Sequence, residues 1–560
     1  MNMAKMFRNV IDFIKKNCTW KNIVFLLKEY RFFWYIFLFQ LLLTFFESLA
    51  ISSCGLIKHN VLYDFYQAVW FYVFLTGLSL MMCRIYGKIF LSIVTFLHTV
   101  CVIFAVYFAV KFEMPINKEA FFILAASSVQ ETKEFLTSHV SPVTWGLVLL
   151  SSAALFALLF GLFKHKFRFT WPAFFAGLFL LLPYSAKTVR YCTLGHYQRI
   201  YNSSTMPNVF FVYKNYCIER DKVLKMVKNP VLPSGIRKMG SDNVLGVIII
   251  GESATRTHWS AYGYPRKTTP EISSLPAEEA LLFQDVIASM PHTVPATRHI
   301  LTNATLQNPE FHYSVVDVLK NAGYRVIVIS NQMVTGVHDT PVTALMYHAH
   351  EHFYTNTSAI SYDGKILPHL DEQIKNSKTP TVIVIHLMGS HMTFHKRYPQ
   401  DFGSFSKVLD ESSQIEGRNP RRINEYDNSI QYTDMLLGKI IKNLRTLDRP
   451  VFMLYFSDHG ESPGFQGTAR SPTSTNPDCY EIPFLLWANE PYRRNHSVFW
   501  GQAAKNVAMP MQMDIADWAI LSAARITFDG FQYKDDLFSE KFIPRKNRVM
   551  GTKKVPYDPQ

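Results

Sequence analysis

The chain has 560 residues, enough for several domains. Hydrophobic residues make up 49% of it and aromatic residues 15%, with 45 Phe, a composition high for a soluble protein that directs attention first to membrane spans. The net charge of +14 fits contact with anionic lipid rather than nucleic acid in such a chain, and seven cysteines without a C-x-x-C carry no zinc-finger or disulfide-scaffold signature.

Five apolar stretches come first, at residues 32–52, 66–83, 89–110, 144–163 and 169–185. Each is close to the ~20 residues that cross a bilayer. Lys15, Lys16 and Arg31 precede the first, Arg84 and Lys88 lie between the second and third, and Lys164, Lys166 and Arg168 lie between the fourth and fifth. The positive-inside rule puts all of these in the cytoplasm and everything after residue 190 outside. The first stretch lacks a small-residue cleavage site and reads as an anchor. Residues 187–240 form a mixed aromatic and basic connector suited to a membrane surface, and the sequence leaves a Cys192–Cys217 bridge open. The expected division is 1–186 in the membrane, 187–240 along it, and 241–560 as a soluble domain.

From residue 244 the pattern alternates. Val244–Ile250, Arg325–Ser330, Thr381–His386, Val451–Ser457 and Ile482–Trp487 are short apolar runs of the kind buried on both faces of a sheet. Between them, Ile430, Thr433, Leu437, Ile440, Ile441 and Leu444 share one helical face, and "FHYSVVDVLKNAGY" ends on Gly323, a helix stop. The alternation predicts an α/β domain with a mostly parallel sheet and helices on both faces.

Ligands of such sheets sit beyond the C-terminal strand ends. Glu252 follows the first strand, Asn331 and Gln332 the second, His386 and then His391 the third, and Asp458 and His459 the fourth. No packing requirement asks for this conjunction. Carboxylates with imidazole suit a hydrolytic divalent metal, zinc above all. Glu252, Asp458 and His459 supply three ligands; the fourth is a water or a protein hydroxyl. The glycine in "YFSDHGE", Gly460, reads as a tight turn by which the chain leaves the site.

"IIIGESATRTHWSAYGYPRKTTPEI", followed far downstream by "YFSDHGE", resembles the phosphoethanolamine transferases of Gram-negative bacteria, most of all the subgroup acting on lipopolysaccharide core. The resemblance implies five transmembrane helices, an N-terminus in the cytoplasm, and a periplasmic domain of alkaline phosphatase/sulfatase type anchored to the inner membrane. It implies Zn2+ on Glu252, Asp458 and His459, with a second metal left open. The Ser-x-x-x-Thr spacing from Ser289 picks Thr293 as metal-activated nucleophile, with Thr297 and Thr302 as neighbouring competitors. His391 matches the family's Gly-Ser-His imidazole, and Asn331 or Gln332 its substrate-contacting amide. Glu131 and Glu134 would meet the ammonium headgroup of the donor.

The implied chemistry is ping-pong transfer of phosphoethanolamine from phosphatidylethanolamine, through Thr293, to a lipopolysaccharide acceptor: core sugar, Kdo or lipid A phosphate. The alternatives are a periplasmic glucan acceptor and a glycerol-phosphate transferase of lipoteichoic-acid-synthase type. A formylglycine sulfatase would need Cys/Ser-x-Pro-x-Arg, whereas His292 and Thr293 follow Ser289-Met290-Pro291 here. The chain departs from the family in two loops: "SPGFQGTARSPTSTNPDCYEIP" has no histidine, leaving Asp478, Cys479 or Glu481 as substitutes, and "SSVQETKEF" offers Ser128 and Gln130 where relatives often carry asparagines before the paired glutamates.

Overall fold

A long apolar run satisfies its backbone groups only within itself once water is excluded, so helices follow from composition alone. The five stretches form α1 (Arg31–Ser53), α2 (Val61–Met81), α3 (Arg84–Phe112), α4 (Pro142–Lys164) and α5 (Trp171–Thr193), the last running through Pro183. The computed structural model describes residues 27–53, 61–82, 84–112, 142–166, 170–193, 205–332, 341–356, 360–405, 420–464, 475–552 and 554–558, with residues 24, 116 and 121. Arg31–Ala50 and Ile85–Phe108 are long and apolar enough to cross a membrane, and Phe65–Met81 and Val148–Lys164 are shorter apolar segments. The chain divides into one unit of residues 1–118 with 139–216 and a second of 119–138 with 217–560.

In the first unit α2 and α5 cross where two glycines face each other. A Cβ on Gly77 would lie 2.7 Å from the Gly177 carbonyl oxygen, and one on Gly177 2.5 Å from that of Gly77. Small residues at such crossings let backbones approach where lipid gives no hydrophobic drive. Two buried polar pairs cross between helices: Gln40 donates to Thr95 at 3.0 Å, and the Tyr72 hydroxyl lies 2.6 Å from His98 Nδ1. Lys88 donates to the carbonyls of Phe163 (3.3 Å) and His165 (2.8 Å), a cation at the C-terminus of α4. A sixth helix, α6 (Thr205–Lys228), lies in the stretch read as a connector. Its polar, basic composition hides it from a hydropathy reading.

The second unit is built on seven strands: β1 (Leu245–Gly251), β2 (Ala280–Leu282), β3 (Arg325–Ser330), β4 (Glu351–Tyr354), β5 (Thr381–His386), β6 (Val451–Ser457) and β7 (Phe484–Ala488). Their order is β2-β7-β6-β1-β5-β3-β4. β1 is parallel to β5 and β6, and β3 to β5, as predicted, and β4, a strand not expected from the sequence, also runs parallel to β3. β7 runs antiparallel to both β6 and β2. A parallel neighbour needs a crossover back to the same end; β7 instead starts at the rim where β6 stops.

β1, β5 and β6 are buried along their whole length. Ile248, Ile250, Val384 and Leu454 pack on one face with Ile300 of α7 (Thr293–Leu301) and Val316 of α8 (Val315–Asn321). Val247, Ile249, Ile385 and Tyr455 pack on the other with Leu370 of α9 (Ile366–Asn376) and Ile430, Leu437 and Ile441 of α10 (Pro420–Arg445). Registers Gly251↔Ser457, Ile250↔His386 and Ser330↔His386 align the C-terminal ends of β1, β3, β5 and β6 in one row.

The glycine crossing is testable. Gly77→Ala and Gly146→Ala make the same gain in helix propensity, yet a Cβ at Gly146 meets nothing within 4 Å. Gly77→Ala is expected to lower the thermal transition of the detergent-solubilised chain, by about 1–3 kcal/mol, and Gly146→Ala to leave it unchanged or raised.

Candidate metal centre and nucleophile

Glu252 leaves β1 into a sharp reversal. Ser253 takes φ 58°, a left-handed conformation uncommon for a residue with a Cβ. That conformation aims its N–H at Asp458 Oδ1 (3.1 Å) and its hydroxyl at Glu252 Oε1 (2.6 Å). Tyr426, from α10, donates to the Ser253 carbonyl at 2.8 Å and accepts the Thr255 N–H at 2.8 Å. Ala254 N–H is taken by Ser457 Oγ at 2.8 Å.

Asp458 is locked to β1 by its own N–H on the Gly251 carbonyl, 3.0 Å. Its Oδ1 accepts the His459 N–H at 2.7 Å. His459 Nδ1 lies 2.8 Å from the Gly460 carbonyl, an acceptor only, so the ring carries its proton there and turns the Nε2 lone pair towards the carboxylates. Nε2 is 3.3 Å from Glu252 Oε1 and 3.5 Å from Asp458 Oδ2. Ligand atoms of Glu252, Asp458 and His459 all lie within 4.8 Å of one another, and all three residues are buried.

The charge balance is unfavourable without a cation. Burial and the Glu252 charge push the Asp458 carboxyl up to about 7. Burial also works against ionisation of Glu252; in the metal-free site only a second proton on His459, at Nε2, with the His391 charge adding to it, holds that carboxylate well below the usual range, a place that a metal cation takes when Nε2 offers its lone pair. Asp458 Oδ2 is buried with no hydrogen-bond partner. A buried lone pair without a donor, beside a second carboxylate and an imidazole whose lone pair faces the same point, is a donor set that fits Zn2+.

Thr293 is the first residue of α7. Its Oγ1 donates to Glu252 Oε2 at 2.9 Å and lies 3.4 Å from His459 Nε2. The competitors point elsewhere: Thr297 gives its hydroxyl to the Thr293 carbonyl and Thr302 to that of Arg298, both at 2.6 Å. Of the three hydroxyls, that of Thr293 faces the cluster. Pro295 has no N–H and that of Ala296 bonds the His292 carbonyl at 3.0 Å, so the first turn offers the N–H groups of Thr293 and Val294, at a helix end that favours anionic oxygens.

Beyond β5 the chain turns at Gly389 (φ 50°), where a Cβ would lie 2.7 Å from the Glu252 carbonyl oxygen. Ser390 N–H donates to that carbonyl at 2.9 Å, which sets His391, half-buried, beside the cluster. Asp363 secures the turn by accepting the N–H groups of Met388 and Gly389, both at 2.8 Å. Asn331 donates to Asp363 at 2.8 Å and accepts from Thr355 (2.9 Å) and Ser361 (2.8 Å). Its amide is therefore engaged in supporting the turn. Gln332 donates to the Leu387 carbonyl at 2.6 Å. Glu131 and Glu134 lie outside the described residues.

Of the proposed substitutes for the loop histidine, Asp478 accepts from Thr257 (3.3 Å) and Ser462 (3.1 Å), Glu481 accepts from Tyr557 (2.7 Å), and Cys479 is fully buried. Among the described residues none of them joins a second metal-type cluster. The glycine of "YFSDHGE" has a reason different from the expected turn. Gly460 is absent from the residues with positive φ, but a Cβ on it would lie 2.0 Å from the Asp478 carbonyl oxygen. Close backbone approach excludes the side chain.

Sequence reasoning missed Asp363 and the role of Tyr426. Both act on backbone atoms of distant segments, and neither stands at a strand end where the sequence directs attention.

Two outcomes follow. Gly460→Ala is expected to destabilise the chain by about 2 kcal/mol or more, seen as a lowered thermal transition. His299, buried in the last turn of α7 with Nδ1 2.9 Å from Ser289 Oγ, is lowered by burial from 6.5 to about 4. The unfolded chain then binds a proton that the folded chain refuses, so stability is lost as pH falls from 6.5 towards 4. His299→Gln is expected to flatten that part of the pH–stability profile.

Comparison with known proteins follows the same lines. The sulfatase family model matches residues 245–517. Phosphoethanolamine transferase EptC of Escherichia coli strain K12 is 29% identical over 337 residues, covering 56% of this chain and 58% of that protein. Phosphoethanolamine transferase CptA of Salmonella typhimurium strain LT2 is 30% identical over 342 residues, with the same coverage of 56% and 58%. The chain thus spans a little over half the length of these relatives. The C-terminal periplasmic domain of EcEptC from Escherichia coli, in complex with Zn, superimposes with a TM-score of 0.53 at 28% identity, over 59% of this chain and 96% of that one. The integral membrane lipooligosaccharide phosphoethanolamine transferase A from Neisseria meningitidis shares the fold, with a TM-score of 0.64 at 18% identity over 91% of this chain and 98% of that one. Residues 245–517 match the sulfatase family, in a chain similar to proteins named phosphoethanolamine transferases.

Proposed function

We propose that the chain transfers phosphoethanolamine from phosphatidylethanolamine to a lipopolysaccharide acceptor, with Thr293 as nucleophile. The observation that carries this reading is the Thr293 hydroxyl at the start of α7, 2.9 Å from Glu252 Oε2 and 3.4 Å from His459 Nε2. The relatives named phosphoethanolamine transferases support the group transferred. In this proposal the five apolar helices span the inner membrane, the N-terminus is cytoplasmic and the catalytic unit periplasmic, in keeping with the loop charges.

Glu252, Asp458 and His459 would hold Zn2+, and the Zn-bound domain of EcEptC supports that choice. The ion, when bound, supplies Lewis acidity that lowers the pKa of a nearby hydroxyl and balances phosphoryl charge. Glu252 Oε2 accepts the Thr293 hydroxyl and orients it, and the proton passes to solvent as the oxygen attacks phosphorus. The Thr293 Oγ–P bond forms, the bond from phosphorus to the glycerol oxygen breaks, and diacylglycerol leaves protonated. An acceptor hydroxyl or phosphate then takes the phosphoethanolamine group and frees Thr293. His391 moves the proton to the leaving oxygen and from the acceptor. The first-turn N–H groups of α7 stabilise the phosphoryl oxygens.

Mass spectrometry of lipopolysaccharide from cells with and without the gene tests this. The expected result is one added phosphoethanolamine per acceptor, reduced roughly 10³-fold or more by Thr293→Ala. Persistence of the gain in Thr293→Ala, or addition of glycerol phosphate instead, overturns it. Fragmentation then locates the modified group.

A further inference from the structure

We infer that Tyr426 is a positioning residue for the metal centre, acting by holding Ser253 in its left-handed conformation. Ser253 adopts φ 58° with no glycine to make it easy. Three features of the centre depend on that conformation: the Ser253 N–H on Asp458 Oδ1, the Ser253 hydroxyl on Glu252 Oε1, and the direction in which Glu252 leaves β1. The Tyr426 hydroxyl spans the reversal. It donates to the carbonyl of Ser253 and accepts the N–H of Thr255, each at 2.8 Å, and so closes the turn from outside.

The clamp is itself rigid. Tyr426 is fully buried, and its ring packs edge-on against Phe394 at 5.0 Å and His258 at 5.2 Å. The adjacent Asp427 accepts from His258 Nδ1 at 2.7 Å and Tyr264 at 3.0 Å and pairs with Arg266, which anchors this turn of α10 to the segment after β1. Burial holds the phenol well above its ordinary range, so it remains a donor. Without the hydroxyl, the Ser253 carbonyl and the Thr255 N–H each lose a hydrogen bond, and Ser253 relaxes towards ordinary backbone space. The predicted result is a displaced Glu252 carboxylate and weaker metal binding.

This inference rests on Glu252, Asp458 and His459 being the metal ligands. The test uses the purified full chain in detergent and reads zinc affinity by competition with a chromogenic chelator, together with the visible spectrum of the Co2+-substituted protein. Tyr426→Phe keeps the ring and removes only the hydroxyl. Tyr492→Phe is the control, since its equally buried hydroxyl donates to a backbone carbonyl, that of Ala523 at 2.6 Å, within a different part of the core.

Tyr426→Phe is expected to weaken zinc binding about tenfold or more and to change the Co2+ spectrum; Tyr492→Phe is expected to lower thermal stability with affinity and spectrum intact. Ser253→Gly supplies a second arm, because glycine holds the left-handed conformation unaided. On that background the effect of Tyr426→Phe should shrink to about threefold or less. Wild-type affinity and spectrum in Tyr426→Phe, or an undiminished loss on the Ser253→Gly background, overturns the inference. Should Tyr426→Phe fail to accumulate, the double variant is compared with Ser253→Gly alone: affinities within about threefold support the clamp, and a larger loss overturns it. A wild-type chain whose zinc affinity is unmoved by Asp458→Asn overturns the metal reading itself, a separate outcome.

Discussion

Two carboxylates buried within reach of one another are the constraint around which the second unit is arranged. Such groups stay ionised only where donors or cations meet them. The parallel register delivers those donors: aligned strand ends bring the Ser253 and His459 N–H groups to Asp458, and the Ser253 and Thr293 hydroxyls to Glu252. One oxygen, Asp458 Oδ2, is left over, and it faces the point at which the imidazole lone pair is also directed. The site is thus a deficit of positive charge built into a rigid frame, and the frame is the sheet.

The first unit obeys a different solvent logic. Its helices need no buried core in the aqueous sense, and many large apolar side chains, Phe156 and Leu150 among them, face outward. What needs partners there is polarity, and Gln40, Tyr72 and His98 find it across helices. Close approach comes from Gly77 and Gly177 rather than from large side chains filling a cavity.

Much of this was legible in the sequence, for identifiable reasons. β1, β3, β5 and β6 announced themselves because strands buried on both faces cannot carry polar residues until they end, so Glu252 and Asp458 marked the ends sharply. The gathering of Glu252, Asp458, His459 and Thr293 followed from fold rules plus a family resemblance. The short edge strands β2 and β4 lacked that signal, and α6 is too polar to be found by hydropathy. The direction of β7 depends on where a connection returns, which local pattern does not record. Supporting residues were the least visible. Asp363 and Tyr426 act on backbone atoms of segments remote in sequence, at Gly389 and Ser253, and backbone atoms have no letter to read.

The Gly460 carbonyl fixes the His459 proton on Nδ1, while the Asp478 carbonyl leaves no room for a side chain at Gly460. Protonation and sterics therefore meet in a single peptide unit. The basic nitrogen of the imidazole is chosen not by a charged neighbour but by the path of the main chain, and that path is pressed into place by the 478–479 segment. Residues 478–479, in the described part of the loop without the family histidine, thereby set the chemistry of His459 without touching its ring: they act as a mould.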